Sequence, residues 1–431
     1  MLTPGGWPPR GDTKTGNGCA IGIRMSGHDL EAAIVADDLT GALDMAAPFA
    51  SCGFATRLLL DHEQEATDLD TQVLTLTSAS RELPAPAAAE SIRVATRAAL
   101  VRKPRILVSK IDSTLRGNVA NAILIALQIS GLRHALIATA VPSQGRTMRD
   151  GEVYVHGVPL RENPVRFGQS SLPSAALPEM LRASCSGMSV HSWQRGHTSP
   201  LSAATGLHAY IADCESDDDL DRLARFAIDH ADKLLVVGAS GFGAALAKQL
   251  GAPRMPDVVS VSGLAGKRIG AILFVIGSRT PASAEQMIRL CKEGAREVAV
   301  QFPFVEQEIN NSVEIDVLRD VHPSLIVVRP AASLEFAEQS SREIAAALGQ
   351  AAARLARRLK VDAVVMSGGD TALAVFRALD IAQAVLLREL SPGIAMGMFQ
   401  IDGAPVAFAT KSGSFGDPDA FVKISRSLRH D

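Results

Sequence analysis

Short apolar runs recur along the chain, and most of them end in a polar or glycine-rich turn followed by residues with helical spacing. The first run, AAIVA at 32–36, is long enough for a buried strand. It leads directly into Asp37 and Asp38. Beyond Thr40 and Gly41, the apolar positions Leu43, Ala46, Ala47 and Ala50 recur at three- and four-residue intervals and predict a helix. Further strands are predicted at 56–60, 73–76, 106–108, 135–138, 209–212 and 234–237, with helices at 87–101 and around Ala120, Ile123, Leu124 and Leu127. A second set of the same kind has strands at 271–276, 298–302, 325–328, 363–365 and 406–409 and an Ala-rich helix at 341–358. Strands alternating with helices imply mostly parallel sheets.

Three stretches interrupt this rhythm. Residues 1–26 are rich in Gly, Pro and Thr and lack the apolar segment of a secretory signal, so they read as a flexible extension. Residues 157–205 hold several prolines among Ser, Gly and Arg and predict loops with some helix near 175–182, as a lid, a hinge or a surface excursion. Residues 252–268 read as a boundary. The expected architecture is therefore α/β, with two domains at 27–262 and 263–431. Each is a mostly parallel sheet flanked by helices, with a cleft between them.

Bulk properties narrow the function. Over 431 residues the hydrophobic share is 47 % and the net charge is −3, so there is ample core and no basic excess to attract nucleic acid. Aromatics are 4 %, which leaves few platforms for stacking single-stranded bases. No apolar run approaches the roughly 18 residues of a membrane span. The five cysteines (Cys19, Cys52, Cys185, Cys214 and Cys291) form no CxxC pair, which speaks against a disulfide framework or zinc site and for a reducing, cytoplasmic setting. There is no Walker A run, and Gly238, Gly241 and Gly243 have the wrong spacing for a dinucleotide fingerprint.

Candidate chemistry gathers at the strand ends, which share one edge of a parallel sheet, where such sheets bind ligands. The first half offers Asp37 and Asp38, Ser80 and Arg81, then Lys110, Asp112, Ser113 and Arg116. This set suits a small ligand with a carboxylate and several hydroxyls, because Arg grips carboxylates in a two-pronged fashion and Asp accepts from hydroxyls. Arg81, Lys110 and Arg116 are expected to hold the carboxylate. Asp37 or Asp38 would take a hydroxyl proton, unless they only cap the helix that follows; Asp112 is a further catalytic candidate. In the second half, three strand ends are rich in Gly and Ser: Gly277-Ser278, Ser367-Gly368-Gly369-Asp370-Thr371 and Lys411-Ser412-Gly413-Ser414-Phe415-Gly416. Glycines admit a phosphate to the backbone, and N–H groups at helix starts bind it. Lys411 would neutralise phosphate charge and Asp370 would hold Mg²⁺.

Taken together, ADDLTGALD (36–44), Ser80-Arg81, KIDSTLRGN (110–118), Pro142 with Gly145-Arg146, Gly277-Ser278, GGDTA (368–372), ELSPGIAMG (389–397) and KSGSFG (411–416) resemble the four-carbon acid sugar kinase family, in that family's order along the chain. The resemblance implies an N-terminal domain that binds a sugar acid and a C-terminal domain that binds ATP. It implies phosphorylation of D-threonate, D-erythronate or a 3-oxo-tetronate, usually at the terminal hydroxyl. Carried over, Asp37, Arg81, Lys110, Ile111, Asp112 and Ser113 would bind substrate, and Ser278, Gly368, Gly369, Asp370, Thr371 and Gly413 would bind ATP. Ala79 departs from the acidic or polar residue expected before Ser-Arg, Asp370 from the commoner Glu, and Ser414 from Gly or Asn. Two other readings use the same features: a catalytically silent sensor of a sugar acid or nucleotide, and a nicotinamide-dependent enzyme built on the turn at Gly238. The composition is compatible with a homodimer.

Overall fold

The computed structural model of the chain describes residues 30–62, 70–163, 176–196, 201–251, 269–300, 324–331, 341–413 and 415–430. The extension at 1–26, the expected boundary at 252–268 and Ser414 lie outside the described residues.

The first apolar run becomes strand β1 (Leu30–Ala36), followed by helix α1 (Leu39–Ser51). In β1, Ala32, Ile34 and Ala36 enter one core layer, and Ala33 and Val35 the other. Both faces are apolar because helices cover both faces of a parallel sheet. Next come β2 (Thr56–Leu59), β3 (Val73–Thr77), α2 (Ala85–Leu100), β4 (Pro104–Lys110), α3 (Val119–Ser130) and β5 (His134–Ala138). A small antiparallel sheet, β6 (Arg146–Arg149), β7 (Glu152–Val155) and β8 (Val158–Pro159), then leaves the main body. The half closes with α4 (Leu177–Ser184), β9 (Met188–Trp193), β10 (Leu207–Ala212), α5 (Asp217–Asp229), β11 (Leu234–Gly238) and α6 (Ser240–Leu250). The stretch 157–205 was expected to be mainly loop. Its described parts include a helix and an edge strand, β9, paired parallel to β10.

The second half holds β12 (Ile272–Ile276), α7 (Pro281–Lys292), β13 (Arg296–Val300), β14 (Leu325–Pro330) and α8 (Ser341–Leu359). It continues with β15 (Ala363–Ser367), α9 (Gly369–Ala378), β16 (Gln383–Ser391), β17 (Ile394–Ile401), β18 (Ala404–Lys411) and α10 (Ala420–His430).

Among the described residues, fifteen strands form one sheet, in the order β13-β14-β12-β15-β18-β17-β16-β2-β3-β1-β4-β11-β5-β10-β9. Pairing is parallel except at β16–β17, β17–β18 and β2–β16. The two halves are therefore joined edge to edge, with Leu59 opposite Gln383 and Thr56 opposite Leu386. Strand order reverses at β1, which lies between β3 and β4, and again at β12, between β14 and β15. These are the two switch points where an open α/β sheet forms its binding crevices. Helix α1 packs on α6 and β3 of its own half and on β16 and α9 of the other. One apolar cluster runs through it, from Phe49 across to Phe376 and Phe408.

Candidate active site

Arg81 is the hub of the first switch point. The turn after β3 brings it back over β1: the backbone N–H groups of Ser80 and Arg81 donate to the Asp37 carbonyl at 2.9 and 3.2 Å. Asn118 locks this turn by donating to the carbonyls of Ser80 and Leu83 at 2.9 and 3.0 Å. Gly117, at φ +84°, sits so close that a Cβ there would lie 3.2 Å from the Arg81 Cα. The KIDSTLRGN run thus clasps the Ser-Arg turn.

The guanidinium then engages three acids. Its Nε and Nη2 donate to the two oxygens of Asp37, both at 2.8 Å. Its Nη1 and Nη2 donate to the two oxygens of Asp38, at 2.7 and 2.8 Å. Asp112 Oδ1 lies 3.7 Å from Nη2. Asp38 also caps α1, accepting from Gly41 N at 2.8 Å and from Thr40 Oγ1 at 2.7 Å. Capping and a site wall are here one role, not alternatives. Asp112 accepts a fork from Arg116, at 2.9 and 2.7 Å, and the Thr114 hydroxyl at 2.5 Å. Burial raises the Asp38 and Asp112 carboxyls, but for Asp38 Arg81 and Lys110, and for Asp112 Arg116 and Arg81, outweigh it and hold them below the ordinary value, Asp112 well below. One guanidinium serves both adjacent acids, and Asp37, the more enclosed, is pushed upward by burial.

Two other cations, buried Lys110 and half-buried Arg146, are not spent in this way. Lys110 is 5 % exposed, and its ammonium makes no hydrogen bond or ion pair among the described residues. Arg146, at the start of β6, donates to the Ser113 hydroxyl and lies over the Phe415 ring at 5.0 Å, with no carboxylate at ion-pair distance among the described residues. Burial holds its guanidinium below the ordinary value. Lys110, Arg146 and Ser113 line one cleft with Asp44 and Ser240 from their own half and with Gly393, Ser412 and Phe415 from the other.

The second switch point is built from glycines and hydroxyls. A Cβ on Gly413 would run into the Ser278 hydroxyl, and one on Gly277 into that of Thr371. Gly368 has φ +105°. Ser283 and Thr280 donate to the Gly413 carbonyl at 2.7 and 3.0 Å. The three loops expected from the sequence do converge, and the N-terminus of α9 reaches the first site: a Cβ on Gly369 would sit 2.7 Å from Asp38 Oδ2. Asp370, in the first turn of α9, is exposed, and its carboxyl is pushed upward by partial desolvation and then by Asp38.

Several expected roles need correction. Lys411, expected to neutralise phosphate charge, is turned in beneath its own loop. It is fully buried, and its Nζ donates to the carbonyls of Ser412, Gly413 and Phe415 at 3.0, 3.2 and 2.9 Å, holding the loop from beneath. Burial lowers its pKa to about 8. Gly416, at φ +84°, packs against Ala420 and shapes the entry to α10. The Ile111 side chain enters the apolar core. Ser80 bonds to Ser78 at 2.9 Å and stays in the turn. Asp37, Arg81 and Arg116 are tied to one another or to Asp112 and form the frame of the site. Asp44 and Arg146, by contrast, line the cleft although both were read only as parts of larger motifs. Thr40, Gly41 and Asp44 form a stripe at three- and four-residue spacing on an otherwise apolar helix, and that signal was available.

No group of three or more His, Cys, Asp or Glu that could hold a metal ion occurs among the described residues. No described helix is long and apolar enough to cross a membrane.

A doubly wound α/β sheet with one charged switch point and one glycine-rich switch point is the outline of a two-part, ligand-plus-nucleotide protein. Matching family profiles bear on both parts: residues 32–246 match a sugar-binding N-terminal domain, and residues 273–421 a nucleotide-binding C-terminal domain. The chain belongs to the four-carbon acid sugar kinase family. It is 28 % identical to a D-threonate kinase of Bordetella bronchiseptica, over 92 % of this chain and 97 % of that one. It is 28 % identical to a D-erythronate kinase of Heliobacterium modesticaldum, over 90 % and 94 %. A Salmonella typhimurium crystal structure, solved under the provisional name of a tRNA synthase, superposes with a TM-score of 0.71 at 20 % identity, covering 92 % of this chain and 99 % of that one. At that identity the likeness speaks for the fold alone.

Proposed function

We propose that the chain transfers a phosphoryl group from ATP to the terminal (4-) hydroxyl of a four-carbon sugar acid, such as D-threonate, D-erythronate or a 3-oxo-tetronate. The observation that carries this reading is a pair of cations, buried Lys110 and half-buried Arg146, with no carboxylate at ion-pair distance among the described residues, in a cleft shared with the loops of the second half. A cation held largely away from water with no direct ion-pair partner is costly. A bound carboxylate supplies that partner, and the Arg146 guanidinium can grip it through two N–H groups. The relatives named for D-threonate and D-erythronate support a ligand of that size and charge. We assign the two domains to 27–262 and 263–431, the first for the acid and the second for the nucleotide.

Ser278, Gly368, Gly369, Thr371 and Gly413 would hold the nucleotide, chiefly through backbone groups, in a cradle that a Cβ would fill. Asp370 would hold Mg²⁺, which usually takes one or two carboxylates together with phosphate oxygens; when bound it neutralises phosphate charge. Phosphoryl transfer depends mainly on positioning and charge neutralisation. The Arg81–Asp37–Asp38–Asp112 frame supplies positioning, since it fixes the floor on which Lys110 and Ser113 stand.

The test is a coupled ADP-release assay with ATP and Mg²⁺ against D-threonate, D-erythronate, their L-forms and 3-oxo-tetronates. Saturable turnover on one acid is expected. Absence of turnover on every one of these acids would overturn the reading.

A further inference from the structure

Four carboxylates surround the floor of the cleft, and three of them are fully engaged. Both oxygens of Asp37 accept from Arg81. Asp38 accepts two bonds from Arg81, one from Thr40 and one from Gly41. Asp112 accepts from Arg116 and Thr114. A carboxylate gripped by a guanidinium is a poor proton acceptor, because the cation stabilises the charged form it would have to give up.

Asp44 differs. Its Oδ1 is shut away from solvent and has no hydrogen-bond partner, yet its side chain lines the cleft. Unsatisfied buried oxygens are rare and call for an explanation; a ligand that brings its own donor is one. A substrate hydroxyl is such a donor.

We propose that Asp44 is the general base: its free Oδ1 takes the proton of the substrate's terminal hydroxyl as that oxygen bonds to the γ-phosphorus and the bond from phosphorus to the ADP oxygen breaks. The proposal rests on the kinase reading above. The proton ends on Asp44, the hydroxyl oxygen keeps the electron pair that forms the new P–O bond, and ADP leaves with the other pair. The groups facing Asp44 are Lys110 from β4, Arg146 from β6, Ser240 from α6, Asp38 at the cap of α1 and Glu389 from β16. Burial raises the carboxyl, while Lys110 and the Ser240 hydroxyl pull it down. The net direction is upward, and a carboxylate more basic than usual is a better proton acceptor than the three gripped by guanidinium groups.

The experiment compares wild type and Asp44→Asn on whichever acid the wild type turns over. The expected result is a fall in kcat of about 10²–10⁴-fold. KM for ATP and for the acid should change less than about threefold, since the lost interaction belongs to the transition state. The acidic limb of the wild-type kcat/KM profile should vanish in the variant. Calorimetric binding of the acid and the thermal midpoint show that the variant is folded, and Asp44→Glu should recover part of the rate. Retention of more than about a tenth of wild-type kcat, or an unchanged acidic limb, overturns the base while leaving the kinase reading intact. A wild type inactive on every acid overturns both.

Discussion

The two walls of the cleft are built by opposite means. On the first half, charged side chains do the shaping: Arg81 holds two acids directly and lies beside a third, Arg116 holds Asp112, and Lys110 and Arg146 line the cleft without an acid at ion-pair distance among the described residues. On the second half the shaping is done by what is missing. Glycines at 277, 368, 369 and 413 stand where a Cβ would crowd a neighbour or strain the backbone, and buried Lys411 serves three carbonyls of its own loop. A wall of side chains reads the pattern of charges and hydroxyls of one particular small molecule. A wall of backbone reads phosphates, which are alike in every use of the nucleotide. The substrate preferences that differ among relatives should therefore reside in the first wall.

Breaking the charged frame should have the largest effect. Arg81→Met leaves Asp37 and Asp38 buried without their cation and should cost about 3–5 kcal/mol of stability, read by denaturant unfolding. A variant as stable as wild type would mean that the acids are held by something other than Arg81.

Next in size is Lys411→Met, which should cost about 2–3 kcal/mol by leaving three carbonyls without their donor. The loss should be visible in the thermal midpoint without nucleotide. An unchanged midpoint with a collapsed kcat would instead restore Lys411 as a phosphate ligand.

A matched pair then sharpens the contrast. Arg146→Ala should raise KM for the sugar acid by about 10–100-fold, the worth of a charge-assisted hydrogen bond, and leave KM for ATP nearly unchanged. Gly413→Ala should raise KM for ATP by about tenfold, because the new methyl displaces Ser278, and leave KM for the acid alone. If both variants move both constants together, the walls are not separate in function.

Much of this was legible in the chain. β1, β4, β12 and β15 are continuous apolar runs ending in polar or glycine turns, and they carry the expected site residues to one edge. β9 was missed because MSVHSW is an edge strand with no apolar run. β16 and β17 were hidden for a different reason: they form an antiparallel hairpin, β16 largely half-exposed and β17 mostly buried, whose central residues look like a binding motif. The pairing of β2 with β16 has no local signature at all, since nothing near Thr56 points to residues more than three hundred positions away. At the site, the residue types were legible but their orientation was not. Whether Lys411 turns out to a ligand or in beneath its loop depends on where the Ser412, Gly413 and Phe415 carbonyls fall, a tertiary matter.

The four-residue ladder between β2 and β16 has one more consequence. Each of these strands would be an open border of its own half's sheet, with a row of unpaired N–H and C=O groups. Laid against each other, they hide both borders, and among the described strands only β9 and β13 remain at the ends. Either half made alone would expose that row, and exposed rows recruit strands from other molecules. Each isolated half should therefore be more prone to aggregation than the whole chain, because one small ladder protects both from their neighbours.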